Sequence, residues 1–250
     1  PVVTSSLNRS DIQDTYIFGG DETSTTKYNS HILRIGSNNR TGTHKNPTRT
    51  LIKFNIPELQ PGDQVIKAVF NLCSYPETNE WTPSASPIQI DAHKITANWD
   101  QTTANWNNMN GNYDAKVEDY ITYQYSNSEP CKFYDLDITA IAKDWYTTGN
   151  NYGIMLKDHT EVYNAQQSDA YFFSADVHNA FTNARPIVQI VYRNQTGLES
   201  YQTYHSQSIG RAGEVYTNDY NGNLVLMHQD ADTPGSKLPV SVYHVYNTNN

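Results

Sequence analysis

Apolar and polar positions alternate with a period of two along most of this chain, and the period changes over two turns at only one place. Over Tyr134 to Gly153, YDLDITAIAKDWYTTGNNYG, Tyr134, Leu136 and Ile138 alternate with Asp135 and Asp137, as in a half-buried strand. Ile138, Ile141, Ala142 and Trp145 then fall at i, i+3, i+4 and i+7, along one side of a short helix. Asp137 or Thr139 can cap its start, and Thr147-Thr148-Gly149-Asn150-Asn151 ends it. Tyr152 to Leu156 resumes as a strand. The expectation is a β protein with one helical plug at its end and the Trp145 indole in the core.

The remaining strands read off the same alternation. Asp14 to Phe18 opens the first and Gly19-Gly20-Asp21 ends it. His31 to Gly36 is the second, with Ile32 and Arg34 opposite Leu33 and Ile35. Next, Thr50, Ile52, Phe54 and Ile56 oppose Leu51, Lys53 and Asn55, until Pro57 and Pro61-Gly62-Asp63 break the run. Ile66, Ala68, Phe70 and Leu72 then face inward, with Lys67, Asn71 and Cys73 outward. Ile88 and Ile90 face inward, with Gln89 and Asp91 outward. Lys94 to Tyr113 is irregular and carries Trp99 and Trp106. Val117 to Tyr125, Tyr171 to Ser174 and Ile187 to Tyr192 supply the last strands, roughly nine or ten in all, the pattern of a sandwich or jelly roll. The fold class expected is all-β: a jelly-roll-like antiparallel β-sandwich with one short helix, followed by a C-terminal β-hairpin tail.

The tail has a different texture. Asn221-Gly222 between Val215-Tyr216 and Leu224 to Met227 is a two-residue hairpin signal, Asp232-Thr233-Pro234-Gly235 is a turn, and Val240 to Tyr246 alternates as a terminal strand. It has too few apolar residues for a core of its own. It should pack on the sandwich or be one end of something longer.

Composition narrows the function classes. The 250 residues carry 17 basic and 26 acidic side chains, a formal charge of −9. No basic stripe of the kind a duplex nucleic-acid binder needs is present. Mean hydropathy is −0.70, and no apolar run reaches the ~18 residues of a membrane span. Pro1 is not a natural start, so the chain reads as a mature or excised fragment whose first residues say nothing about targeting. Nineteen tyrosines among many Asn and Thr suit exposed β surfaces working outside the cell. Cys73 and Cys131 fit a disulfide if adjacent in space and equally two independent thiols. Neither they nor the scattered histidines have the spacing of a zinc site, so no metal ligands are assigned.

DTYI, LRIG and RTLIKFNIPELQPGDQVIKAVFNL resemble the opening strands of the DNRLRE-type (disaggregatase-related) β-sandwich domain. The pattern continues through ANWDQTTANWNN, YDLDITAIAKDWYTTGNNYGIML, YFFSAD and ARPIVQIVYR. Some members of that class are carbohydrate-binding modules, with alginate binding reported. From YRNQTGLESYQTYHSQSIGRAGEVYTNDYNGNLVLMHQD to LPVSVYHVYN the tail resembles the entry into Rhs/YD-repeat proteins, large secreted or wall-associated bacterial proteins. The resemblances imply a leader over 1–13, a β-sandwich over 14–193 and the start of an Rhs/YD-like β segment over 194–250. They imply a secreted or cell-wall-associated module whose partners are a polysaccharide or cell-surface glycan and the downstream repeats of the same chain. A cap or spacer of the repeat shell with no ligand is the alternative.

Flat aromatics can stack on the C–H face of a sugar ring. Trp81, in a Pro/Ser/Thr loop, and Tyr113, Tyr120, Tyr123 and Tyr125 are the candidates. Tyr123 and Tyr125 share one strand parity and could form a platform; cross-strand tyrosine packing is the competing role. Trp99 and Trp106, in the repeated units Ala97-Asn98-Trp99 and Ala104-Asn105-Trp106, are expected to plug the sandwich end. A glycosidase needs two carboxylates ~5–10 Å apart, and none of the many acids sits in an apolar setting that would raise a pKa. G-x-S-x-G and phosphate loops are absent, so the chain is expected not to be an enzyme. Asp11, Asp14, Asp21 and Glu22 leave room for a structural calcium ion but lack an EF-hand pattern; no other cofactor is implied.

Overall fold

Alternation builds strands wherever one face can be buried, and a computed structural model shows how those faces are used. It describes residues 2–4, 9–38, 46–59, 63–76, 84, 86–126, 129, 131–161, 168–177, 179–194, 197–198, 202–233 and 240–248. The chain divides into two units, residues 2–56 with 67–190, and residues 57–66 with 191–250.

The strands that build the sandwich are β1 (Val2–Thr4), β2 (Ile12–Phe18), β3 (Ile32–Asn38), β4 (Asn46–Phe54), β5 (Gln64–Cys73), β6 (Ile88–Lys94), β7 (Asp119–Tyr123), β8 (Phe133–Asp137), β9 (Ile154–Asp158), β10 (Ser168–Phe173) and β11 (Ile187–Arg193). Two short helices interrupt them, α1 (Trp106–Met109) and α2 (Thr139–Thr148). A four-stranded sheet has the order β1-β11-β5-β8. A seven-stranded sheet has the order β10-β3-β4-β9-β6-β7, with β2 also paired to β4. The fold is an antiparallel all-β sandwich. Phe54 of one sheet meets Phe70 of the other edge-on, with ring centroids 5.4 Å apart.

The helical plug is where the periodicity places it. Ile141, Ala142 and Trp145 are buried, Trp145 at 1 % exposure. The N-cap position is Ile138, whose side chain cannot cap. Asp137 does that work from one residue earlier: its Oδ1 accepts the Thr139 N–H at 2.9 Å. The Thr139 hydroxyl donates to the same Asp137 oxygen and accepts the Ala68 N–H at 3.0 Å. Gly149 ends the helix in the left-handed region, φ +73°, its N–H donating to the Trp145 carbonyl. Gly153 is also obligatory, since at φ +82° a Cβ there would lie 2.1 Å from the Ile52 carbonyl oxygen.

Three expectations change. First, the far face of the seven-stranded sheet is covered rather than wet. Ile17, Leu51 and Met155 pack under Ile95, Trp99, Ala104 and Met109, with Trp106 and Tyr113 at the edge. Strands covered on both faces lose the in-out contrast of a half-solvated sheet, which is why Leu51, on the strand face it shares with Lys53 and Asn55, is buried. Asp91, expected outward, is buried as well. The buried Arg34 is neutralised by Asp169 at 2.9 Å. Second, Ile66 is exposed and Cys73 buried, the reverse of the simple parity. Cys73 is drawn in by a disulfide to Cys131 and by Phe173, Val177 and Ala184 around it. Third, the irregular run after Lys94 contains α1, capped by the Asn105 side chain, which accepts from the Asn108 N–H while Asn108 returns a bond to the Asn105 N–H. One turn is too short to show a period.

The second unit carries a four-stranded antiparallel sheet, β12 (Tyr204–Ser208), β13 (Glu214–Asn218), β14 (Leu224–Thr233) and β15 (Val240–Asn247), in that order. The Asn221-Gly222 signal does mark a hairpin, but a wider one than two residues. Thr217 pairs with Leu224, and Asn218 closes the turn by donating its N–H to the Asn223 carbonyl. Asn218 Oδ1 accepts the N–H groups of Tyr220 and Asn221, so side-chain capping replaces the tighter turn. Asp232 and Thr233, expected in a turn, belong to β14; Pro234 and Gly235 lie outside the described residues. No described helix is long and apolar enough to cross a membrane.

Candidate functional site

At the edge of the seven-stranded sheet, register fixes a row of side chains. Asp91 on β6 stands opposite Tyr120 on β7 and opposite Lys157 on β9. Residues directly opposed in antiparallel strands share a face. Gln89, two positions along β6, pairs with Thr122 and therefore lies on that face as well. The chain turns after β9 with the His159 N–H donating to the Gln89 carbonyl at 3.0 Å.

Asp91 is the fixed point of this face. It is 2 % exposed, yet both oxygens are engaged. Oδ1 accepts from Gln89 Nε2 at 2.9 Å, and Oδ2 lies 2.6 Å from His159 Nδ1. Nδ1 faces that carboxylate, leaving Nε2 as the second polar atom of a half-exposed ring. Tyr120, 56 % exposed, is the aromatic of this row.

Among the described residues, Arg49, Lys157 and Lys116 each have an acidic neighbour. Arg49 holds Glu161 through Nε at 2.7 Å and Nη2 at 2.9 Å, and donates from Nη1 to the Asn110 carbonyl at 2.6 Å. Its guanidinium lies against the rings of Trp106 and Tyr113. Lys157 lies 3.8 Å from Glu161, and Lys116 pairs with Glu118 at 3.0 Å. His93 is held by the carbonyls of Asp114 and Lys116 at its Nδ1, and burial lowers its pKa.

The tyrosines expected to form a platform separate. Tyr113 is half-buried, with its ring against Arg49 and edge-on to His93. Tyr123 is a correction. It is 0 % exposed and packs on Phe172 and Tyr134, its phenol held above the ordinary value by burial. It lies three residues from Tyr120, so strand parity sends the two rings to opposite faces. Tyr125 is half-buried beyond the end of β7, where parity no longer applies. Trp81 lies outside the described residues. Gln89, Asp91, Lys157 and His159 were not singled out by sequence, and no linear signal could have joined residues some 70 positions apart.

Trp99 and Trp106 serve the fold. Trp99 is buried, its indole N–H donating to the Tyr152 carbonyl at 2.7 Å.

One acid departs from the expectation that no setting would raise a carboxyl pKa. Asp14 is pushed up to about 7, first by burial and then by Asp176, against the Ala175 N–H, Arg9 and Arg185, which favour its charge. At 1 % exposure it is out of reach of a polymer. Of the other members of the acidic set, Asp11 accepts from Asn55 and Glu22 pairs with Lys27. Among the described residues no group of three or more His, Cys, Asp or Glu side chains is placed to hold a metal ion. A separate concavity of about 460 Å³ beside the start of α2 is lined by Glu118, Asp119, Asp137, Thr139, Ala140 and Lys143. Its polar groups largely serve one another: Asp119 Oδ2 accepts the Asp137 N–H at 2.7 Å.

Residues 5–192 match the model of carbohydrate-binding module family 96. No curated protein matches the chain.

Proposed function

The chain belongs to carbohydrate-binding module family 96, and from that premise we propose that it binds polysaccharide at the Tyr120–Asp91–His159 face without cleaving it. The observation that carries the assignment is the pairing of an exposed aromatic ring with a buried, immobilised carboxylate directly across the strands. Tyr120 offers a flat apolar surface to the C–H face of a sugar. Gln89 and His159 supply hydroxyl-recognising groups, and buried Asp91 beneath them fixes their positions before binding, which reduces the ordering cost. One ring and a few polar atoms imply weak single-site affinity.

Modules of this kind are typically non-catalytic, and the Asp14 carboxyl, sealed in the fold, fits that reading. The Cys73–Cys131 disulfide suits an oxidising, extracellular setting.

The division at 193/194 and the Rhs-like reading of residues 194–250 belong to the same proposal. Tyr220, 95 % exposed, and the exposed Tyr246, Ile209 and Leu224 are surfaces that further repeats of the chain would cover. They also support a second reading, in which the module caps a repeat shell and binds no glycan.

Affinity electrophoresis in gels containing a retained polysaccharide decides between the two. Tyr120→Ala should abolish retardation while leaving the unfolding midpoint unchanged; Gln89→Ala should abolish it as well and lower the midpoint, because it removes one of the two partners of buried Asp91. Retardation that survives both substitutions removes this face from the proposal, and the absence of retardation by any polysaccharide favours the cap.

A further inference from the structure

We infer that Asn221 is a site of spontaneous covalent modification: its side-chain amide cyclises onto the Gly222 nitrogen, and the ring opens to isoaspartate or aspartate.

An asparagine followed by glycine is the pair in which this reaction meets least resistance, because no Cβ shields the attacking nitrogen. The chain has two such pairs, Asn110-Gly111 and Asn221-Gly222, and the structure sets them apart. Asn110 follows α1 with right-handed helical backbone, φ −60° and ψ −28°. It is half-buried. Its side-chain nitrogen donates to the Trp106 carbonyl at 2.6 Å, and its own carbonyl accepts from Arg49 Nη1 at 2.6 Å. Held at both ends, Asn110 is kept from swinging its amide carbon onto the Gly111 nitrogen.

Asn221 lies in the turn between β13 and β14, where it and Gly222 are both exposed. Apart from the chain neighbours of Gly222, no atom stands within 4 Å of where a Cβ on it would sit. Asn221 Oδ1 accepts the Asn223 N–H at 2.9 Å. That oxygen takes up negative charge as the nitrogen adds to Cγ, so the N–H stands where an oxyanion needs a donor. Asn218 Oδ1 holds the N–H groups of Tyr220 and Asn221 and keeps the reacting pair in one turn. One contact opposes the reaction: the Gly222 N–H donates to the Asn218 carbonyl at 2.9 Å and must be released first.

Hydroxide takes the Gly222 amide proton, the nitrogen bonds to Asn221 Cγ, and the side-chain nitrogen leaves as ammonia with a proton from water. Water then opens the cyclic imide without any change of oxidation state. Cleavage at Cγ gives aspartate. Cleavage at the backbone carbonyl gives isoaspartate, in which the main chain runs through the side chain and the turn gains a methylene. Either product adds a negative charge to a chain of formal charge −9.

The test follows the full 250-residue chain in mildly alkaline buffer, folded and in urea, by peptide mapping with mass spectrometry and enzymatic isoaspartate labelling. In the folded protein Asn221 should convert at least about tenfold faster than Asn110, and in urea the two rates should fall within about twofold of each other. Asn221→Gln, whose longer side chain must close a larger ring, should remove most isoaspartate labelling from the folded chain. Equal rates at the two sites in the folded chain, or faster conversion at Asn110, would overturn the inference. So would an Asn221 that stays intact when folded while it converts in urea, or labelling that persists undiminished in Asn221→Gln.

Discussion

The guanidinium carbon of Arg49 lies 4.5 Å from the centroid of the Trp106 ring. The contact ties the covering segment around α1 to the middle of the seven-stranded sheet, while the Glu161 carboxylate on the same guanidinium ties down the turn after β9. One side chain thus holds the cover of the outer core and the segment bordering the Tyr120 face.

Arg49→Lys keeps the charge but not the two-point bond or the planar stack. It is expected to cost about 1–2 kcal/mol, and Arg49→Ala about 3 kcal/mol, because Glu161 then keeps only Lys157 as a partner. Urea unfolding of the three proteins gives both values.

Asp14 gives the fold a pH dependence of unusual sign. Its folded pKa, about 7, lies above the ordinary 3.8, so the folded protein holds this proton to higher pH than the unfolded chain does. Its contribution to stability is fully present below about pH 4, declines as pH rises and is gone above about pH 7. The upper bound is on the order of 4 kcal/mol. Asp14→Asn keeps an acceptor for the Ala175 N–H, present at 2.6 Å, and places a donor near Asp176. The variant should lose the decline between pH 4 and 7 and be the more stable protein at pH 8. Denaturant unfolding at four or five pH values measures the slope.

The Cys73–Cys131 disulfide closes a sequence separation of 58 residues. A loop of that length corresponds to roughly 4 kcal/mol in the chain-entropy model. Reduction, or the double Cys73→Ser/Cys131→Ser substitution, should lower the thermal midpoint by several degrees. Calorimetry with and without reductant checks it.

Trp145→Ala should be among the most damaging single changes, costing about 3–5 kcal/mol through lost burial and the cavity left behind. Trp145→Phe should cost clearly less. Unfolding free energies of the two variants test the ranking.

Much of the fold was legible because the governing pattern is local. The strands, the single shift of period at Ile138 and the inward Trp145 all follow from neighbours a few positions apart. Parity could not tell whether an outward face is wet. Asp91 does point away from the inter-sheet core, but Gln89 and His159 cover it. Leu51 is buried because an aperiodic segment bearing Trp99 and Met109 folds over it. The candidate site was legible only in Tyr120. Its partners come from three strands whose register no sequence period encodes. Tyr123 misled because its parity relative to Tyr125 was weighed, while its parity relative to Tyr120 decides which face it joins.

The central claim is where the sugar sits, and amide chemical-shift mapping with a retained oligosaccharide locates it most directly. Titration should move the amides of Gln89, Asp91, Tyr120, Thr122 and His159 together, with one dissociation constant. Shifts confined to the tail strands or to the start of α2, with those five unmoved, would contradict the account.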